Sequence, residues 1–314
     1  MKDEVVTVFG GGGFVGRYVV QELLAGGQGH RVRVAQRRPK AAWFLRPLGS
    51  LGQIQFLAAD VTRPELVERA VRGASAVVNL VGTFGDMEAV QAEGAEIIAK
   101  ASAGAGVQTL VHVSAIGADP ESPSRYGRSK GEGEAAVRKA FPSAIVLRPS
   151  IVFGREDQFT NRFAQMLKLP VVPVVRGAAV FQPIFVGDLA QAISCAIGKP
   201  DACAGKTYEM GGPERISMRV LLERLADWTG RKPTLVEVPD LIAGAMARFG
   251  GWAPGAPITW DQWLMLQQDN VVSDGAEGLD AFGIAGTPLA AVAPSWLVQY
   301  RKQGRFGGMK TVES

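Results

Sequence analysis

Val5-Val6-Thr7-Val8-Phe9-Gly10-Gly11-Gly12-Gly13-Phe14-Val15-Gly16 is the stretch that decides the fold of this chain. Its first five residues are β-branched or aromatic and carry no charge, as a strand buried on both faces requires. Glycines at 10, 13 and 16 follow, and then Tyr18 to Leu24, whose apolar spacing suits a helix. Strand, glycine turn and helix opening in that order form a dinucleotide-binding crossover. The turn needs residues without Cβ, the pyrophosphate must approach bare backbone, and the N–H groups of the helix start supply its counter-charge. Gly10, Gly12, Gly13, Phe14, Val15 and Gly16 are therefore expected to hold a dinucleotide.

Outward from this run, strands and helices alternate. Strands are expected at 31–36, 54–58, 76–81, 109–113 and 143–148, with helices at 64–72, 87–103 and 125–140 between them. Repeated βα units with buried strands imply a Rossmann-type, doubly wound α/β fold around a parallel sheet. After Pro149 the texture changes. A helical pattern at 157–167 precedes a proline-broken extended stretch at 170–186, a further helix is expected at 188–197, and shorter segments follow. The division expected is a dinucleotide-binding domain over 1–198, with a cleft-lining insertion at about 150–180, and a smaller mixed lobe over 199–314.

The end of the second strand selects the dinucleotide. An acidic residue there accepts a hydrogen bond from the ribose 2′-OH of NAD. Here Gln36 stands at that place, followed by Arg37, Arg38 and, two residues on, Lys40. Two guanidiniums match a 2′-phosphate, so NADP(H) is expected, with Arg37 and Arg38 as its selectors. Asp60 and Val61, after the third strand, are placed for the adenine amino group. Leu80, Val81 and Gly82, after the fourth, are placed for the adenosine ribose.

Tyr126-Gly127-Arg128-Ser129-Lys130 lies in a helical pattern, where residues four apart share a face. A lysine beside a tyrosine is expected to lower the phenol pKa, suiting it to proton transfer. Ser114 closes the fifth strand and is placed to hold a substrate oxygen. Ser114, Tyr126 and Lys130 are thus the candidate catalytic residues.

These motifs, with Arg148-Pro149-Ser150, resemble the short-chain dehydrogenase/reductase superfamily in its extended and atypical branch. A narrower likeness rests on His112-Val113-Ser114, Ser124-Arg125-Tyr126, Lys130, Glu134, the run 137–142 and Phe153-Gly154-Arg155-Glu156-Asp157. Gln182-Pro183, Asp188 and Asp269-Asn270-Val271-Val272 extend it. Together they are similar to the NADPH-binding accessory subunit family of respiratory complex I and its bacterial relatives, along nearly the whole chain. That resemblance implies a tightly held NADPH, contacts to it from Tyr126, Lys130 and Pro149, docking beside the quinone end of the complex, and no established turnover. The loop Thr83-Phe84-Gly85-Asp86 looks shorter than in such relatives, and it borders the nicotinamide site.

Composition narrows the alternatives. The chain has 314 residues, 47% hydrophobic and 20% charged, which suits a globular protein with a full core. Its net charge of +4 is too mild for nucleic acid and compatible with an anionic membrane surface. Two cysteines, Cys195 and Cys203, exclude a disulfide scaffold, and Cys195 is read as a small core residue. No signal peptide or membrane-spanning run is expected, placing the chain in the cytoplasm or on the cytoplasmic face of the inner membrane. His30 is read as a surface residue and His112 as a core one. Trp252, Trp260 and Trp263 suit either core packing or a partner-facing patch; Phe159, Phe163 and Met166 suit either a substrate pocket or a core stripe. Two functions stay open: a structural NADPH-binding subunit, and an NADP(H)-dependent oxidoreductase on a small apolar or isoprenoid-like carbonyl.

Overall fold

The computed structural model describes residues 4–26, 30–251, 258–302 and 304. The chain divides into two compact units. One comprises Met1–Pro149, Val186–Met210 and Val272–Ala285; the other comprises Ser150–Phe185, Gly211–Val271 and Gly286–Ser314.

The first unit is built on β1 (Val5–Phe9), β2 (Arg31–Gln36), β3 (Ile54–Ala58), β4 (Ala76–Asn79), β5 (Thr109–Val113) and β6 (Ile145–Pro149). A further strand, Thr207–Met210, pairs with β6. The seven-stranded sheet runs Thr207–Met210, β6, β5, β4, β1, β2, β3, and every pairing is parallel. Strand order reverses between β1 and β4, which opens the crevice at their carboxyl ends where such folds bind ligands. Helices α1 (Phe14–Ala25), α2 (Pro64–Val71), α3 (Gly94–Gly104) and α4 (Arg125–Ala140) supply crossovers. Leu110 of β5 packs with Ile98 and Ala99 of α3 and Val137 of α4 in one buried cluster. Four of the five β1 residues are fully enclosed, as the uncharged run requires.

This division differs from the expected pair of consecutive segments. Residues 207–210 complete the sheet by hydrogen-bonding to β6, so they group with the dinucleotide-binding part. Residues 150–185 instead build the second unit. There Val152–Phe153 pairs with Ile184–Phe185, Val171–Val175 with Thr234–Val238, and Val180–Phe181 with Ile216–Ser217. Phe159, Phe163 and Met166 pack against the buried cluster of Phe153, Leu221, Leu225 and Trp296, and so act as a core stripe.

Two single-residue readings, of His30 and Cys195, also change, and the tryptophans divide between the two readings left open. His30 is buried, 4% exposed, because it sits at the mouth of β2. Cys195 is only partly buried, whereas Cys203 is buried. Trp263 is buried and Trp260 lies at the surface with the Arg248 guanidinium 5.0 Å from its ring centre; Trp252 lies outside the described residues.

The helix Asp240–Gly250 turns its small residues Ala243 and Ala247 inward and its large ones outward. Leu241 is 87% exposed and Phe249 76%, with Ile242 and Met246 beside them. Among the described residues no helix is long and apolar enough to cross a membrane.

Candidate functional site

The glycine turn joins β1 to α1. Gly10 takes φ +79°, a left-handed conformation that a side chain resists. Its N–H donates to Ala35 O (3.0 Å), and its carbonyl accepts from Gly13 N (2.9 Å). Gly16 is needed for a different reason, since a Cβ there would sit 2.6 Å from Gly11 Cα and collide with Gly10 O. That close approach seats the first turn of α1 directly on the loop, with the helix N-terminus and its positive dipole end at the crevice. Gly13 is exposed, and Gly12, Phe14 and Val15 are half-buried around it.

Gln36, at the end of β2, does structural work that the sequence did not disclose. Its Oε1 accepts from Gly12 N (3.0 Å) and its Nε2 donates to Arg38 O (2.6 Å), tying the glycine turn to the basic loop. Arg37 and Arg38 are both exposed. Asp60 Oδ1 accepts from Thr62 N (3.1 Å) and Thr62 Oγ1 (2.8 Å). Those bonds, helped by the charges of Arg37 and Arg63, hold its carboxyl below the usual carboxylate range. Val61 is buried beside it.

On the other side of β1, Leu80 N donates to Phe9 O (3.1 Å), and Val81 N donates to Asn79 Oδ1 (3.1 Å). The Asn79 amide also donates to His112 Nδ1 (3.1 Å), so the ring hydrogen sits on Nε2. Burial, with the charges of Lys130 and Arg138, pushes His112 down to about 3 and keeps the ring neutral. Ser114 donates its N–H to Leu147 O (2.8 Å), and its Oγ is buried without a partner among the described residues. Pro149 O accepts from Ile116 N (3.0 Å), which fixes the segment after β5.

Helix α4 starts at a Ser124 cap, whose hydroxyl accepts from Gly127 N (3.2 Å). Tyr126, Lys130 and Glu134 follow at four-residue intervals on one face. Glu134 is buried and clamped by Arg148, with Nε to Oε1 at 2.9 Å and Nη2 to Oε2 at 2.7 Å. Lys130 is 5% exposed and donates from Nζ to Val113 O (3.2 Å). Desolvation outweighs the attraction of Glu134 and pushes the ammonium down to about 8.

Tyr126 departs from expectation. Its phenol is pushed up to about 12, because enclosure of the hydroxyl penalises the phenolate. Spacing put the two residues on one face, but Lys130 Nζ stands 6.0 Å from the centre of the Tyr126 ring and is engaged elsewhere. Phe84, from the short loop after β4, stacks on Tyr126 with ring centres 5.1 Å apart and planes 22° from parallel. Phe84 was not legible as a site residue; the only signal was the brevity of its loop.

The segment expected as one helix from Met87 to Ala103 opens with a π-helical turn, Glu88–Glu93, before α3. Gln91 in that turn is buried and donates from Nε2 to Ser129 Oγ (3.0 Å). Nothing in the apolar periodicity marks it.

Residues 10–147, which carry the glycine turn and β2 to β5, match the NAD(P)H-binding family model. The chain is 36% identical over 295 residues to NADH dehydrogenase (ubiquinone) 1 alpha subcomplex subunit 9, mitochondrial, of Rattus norvegicus, covering 91% of this chain and 77% of that protein. The chain belongs to that subunit's family. It is also 30% identical over 253 residues to the ceramide reductase of Caulobacter vibrioides, covering 77% of each. Among solved structures, the NADPH-dependent quinone oxidoreductase from Escherichia coli superposes with a TM-score of 0.75 at 19% identity, covering 93% of this chain and 99% of that one. At that identity the likeness speaks to the Rossmann-type reductase fold alone.

Proposed function

We propose that this protein binds NADPH and serves as a structural accessory subunit, or assembly partner, of the respiratory NADH:quinone oxidoreductase. The observation that carries the reading is the 36% identity to a subunit of that enzyme along 91% of the chain. Gly10, Gly12, Gly13, Phe14, Val15 and Gly16 take the pyrophosphate, Arg37 and Arg38 the 2′-phosphate, and Asp60 and Val61 the adenine. Leu80, Val81, Gly82, Tyr126, Lys130 and Pro149 line the rest. The residues fit such a ligand: the turn leaves backbone bare where a Cβ would collide, and Ser114 Oγ and Gln91 Oε1 are buried with no partner among the described residues. When bound, NADPH supplies a hydride in principle. Tyr126 stands beside that site, stacked against Phe84. The outward apolar face of helix Asp240–Gly250 supports a partner surface, as contiguous exposed apolar area does in general. In this reading the chain docks from the cytoplasmic side of the inner membrane.

NADPH that binds only the folded chain stabilises it by about 2.7 kcal/mol at a hundredfold excess over Kd. Thermal unfolding with and without NADPH should give the same stabilisation for wild type and Tyr126→Phe, and wild type should not oxidise NADPH when offered apolar carbonyl compounds. The second reading, an NADP(H)-dependent oxidoreductase using Tyr126, Lys130 and Ser114, draws on the ceramide reductase likeness. Carbonyl-dependent NADPH oxidation in wild type, lost in Tyr126→Phe, would establish it instead.

A further inference from the structure

The π-helical turn Glu88–Glu93 inserts one extra residue per turn where an α-helix would leave none, and such turns cluster at functional sites. Its packing is specific. Gly133 of α4 carries no Cβ, and one there would collide with Gln91 O. The bare surface of α4 thus admits the wide turn and lets the Gln91 side chain lie along the Ser129–Lys130 edge.

The orientation of that amide follows from its neighbours. Ser129 Oγ donates its hydrogen to Tyr126 O (3.0 Å), so toward Gln91 it can only accept. The atom facing it at 3.0 Å is therefore Nε2. Oε1 points the other way, is buried, and has no partner among the described residues. A buried unsatisfied acceptor is costly, so its retention asks for a ligand. Oε1 lies 3.3 Å, and Lys130 Nζ 3.7 Å, from the point where a Cβ on Gly82 would stand. An acceptor and a donor thus face one small space that a side chain on residue 82 would fill. A hydroxyl is the group that answers both, accepting from the ammonium and donating to the amide oxygen.

Sheet order says which half of a dinucleotide reaches that space. The glycine turn follows β1, and the basic loop after β2 lies to one side of it; Gly82, expected from the sequence beside the adenosine ribose, follows β4 on the opposite side. A dinucleotide laid across the reversal of strand order puts its second nucleotide over β4 and β5. We propose that Gln91 is a cofactor-binding residue, presented by the π-helical turn, whose Oε1 accepts from a hydroxyl of the nicotinamide-side ribose.

This inference rests on the NADPH-binding reading, and the experiment separates the two. NADPH and adenosine 2′,5′-bisphosphate, which lacks the second ribose, are titrated calorimetrically into full-length wild type and Gln91→Met. Methionine keeps the volume and removes the orphan acceptor. NADPH affinity should fall about tenfold, the upper range for one such hydrogen bond. Affinity for the bisphosphate should stay within twofold, and the thermal midpoint of the cofactor-free variant should match or exceed that of wild type. Unchanged NADPH affinity, or equal loss for both ligands, overturns the assignment. If wild type binds neither ligand, the NADPH reading itself fails and takes this one with it. Should Gln91→Met not fold, Ser129→Ala, which frees the amide from its anchor, should weaken NADPH and spare the bisphosphate; loss of neither or of both is again contrary.

Discussion

Lys130→Met should make the cofactor-free protein more stable. The lysine is 5% exposed, and burial holds its ammonium at about 8 against an ordinary 10.5. A depression of that size corresponds to about 3 kcal/mol of unfavourable charge burial at neutral pH. Methionine occupies similar space without the charge but leaves Val113 O without its 3.2 Å donor, a loss of about 1 kcal/mol. The net expectation is a gain on the order of 2 kcal/mol at pH 7, read from urea unfolding of both proteins. The sign of the pH dependence is fixed by the same numbers. Between about 8 and 10.5 the unfolded wild-type chain binds a proton that the folded one has released, so wild-type stability rises with pH through that window. The advantage of Lys130→Met must therefore be full below pH 8 and shrink as pH rises toward 10. Tyr126 enters only above its ordinary 10.0, where its raised phenol makes stability fall, so measurements between pH 7 and 10 isolate the lysine. A variant less stable than wild type at pH 7, or a difference that does not change with pH, would refute the reasoning.

Other perturbations test the remaining parts of the site. Changing Arg37 and Arg38 together to Ala should weaken NADPH by about a hundredfold, taking the low end of about 1.5 kcal/mol for each exposed charge-assisted contact, while NADH changes less than threefold; equal losses in titrations of both would remove the 2′-phosphate role. Gly16→Ala should cost about 1–3 kcal/mol of stability through the clash with the Gly10–Gly11 backbone and abolish NADPH-induced stabilisation in thermal unfolding. Arg148→Met should cost about 3–5 kcal/mol in urea unfolding, because it leaves the buried Glu134 carboxylate without its bidentate partner; a loss below 1 kcal/mol would mean that the clamp is idle.

What could be read in advance divides along physical lines. β1 was legible because an uncharged run of β-branched residues has few other uses, and α4 because its apolar and small residues keep a helical pattern from 125 to 140. Spacing alone placed Tyr126 and Lys130 on one face. It could not report desolvation, which depends on residues distant in the chain, and so the direction of the Tyr126 shift was misjudged. The π-helical turn escaped because six residues of altered winding leave no periodic mark, and its cause, Gly133, is far away in sequence. Phe84 and Gln91 were invisible for the same reason: each acts through a neighbour supplied by α4. Beyond Pro149 the chain passes between units more than once, and short strands with partners many residues away leave weak local signals.

The central claim is that this chain carries NADPH as a component of a larger respiratory assembly. Native purification from the host's membranes through a tag on this chain tests it directly, with NADH:quinone oxidoreductase activity and NADPH content measured in the same fraction. The account predicts that both travel with the chain and that the NADPH remains reduced while the assembly turns over NADH. A chain that runs alone at its own mass of 33.3 kDa, or an assembly that forms without it, would contradict the account.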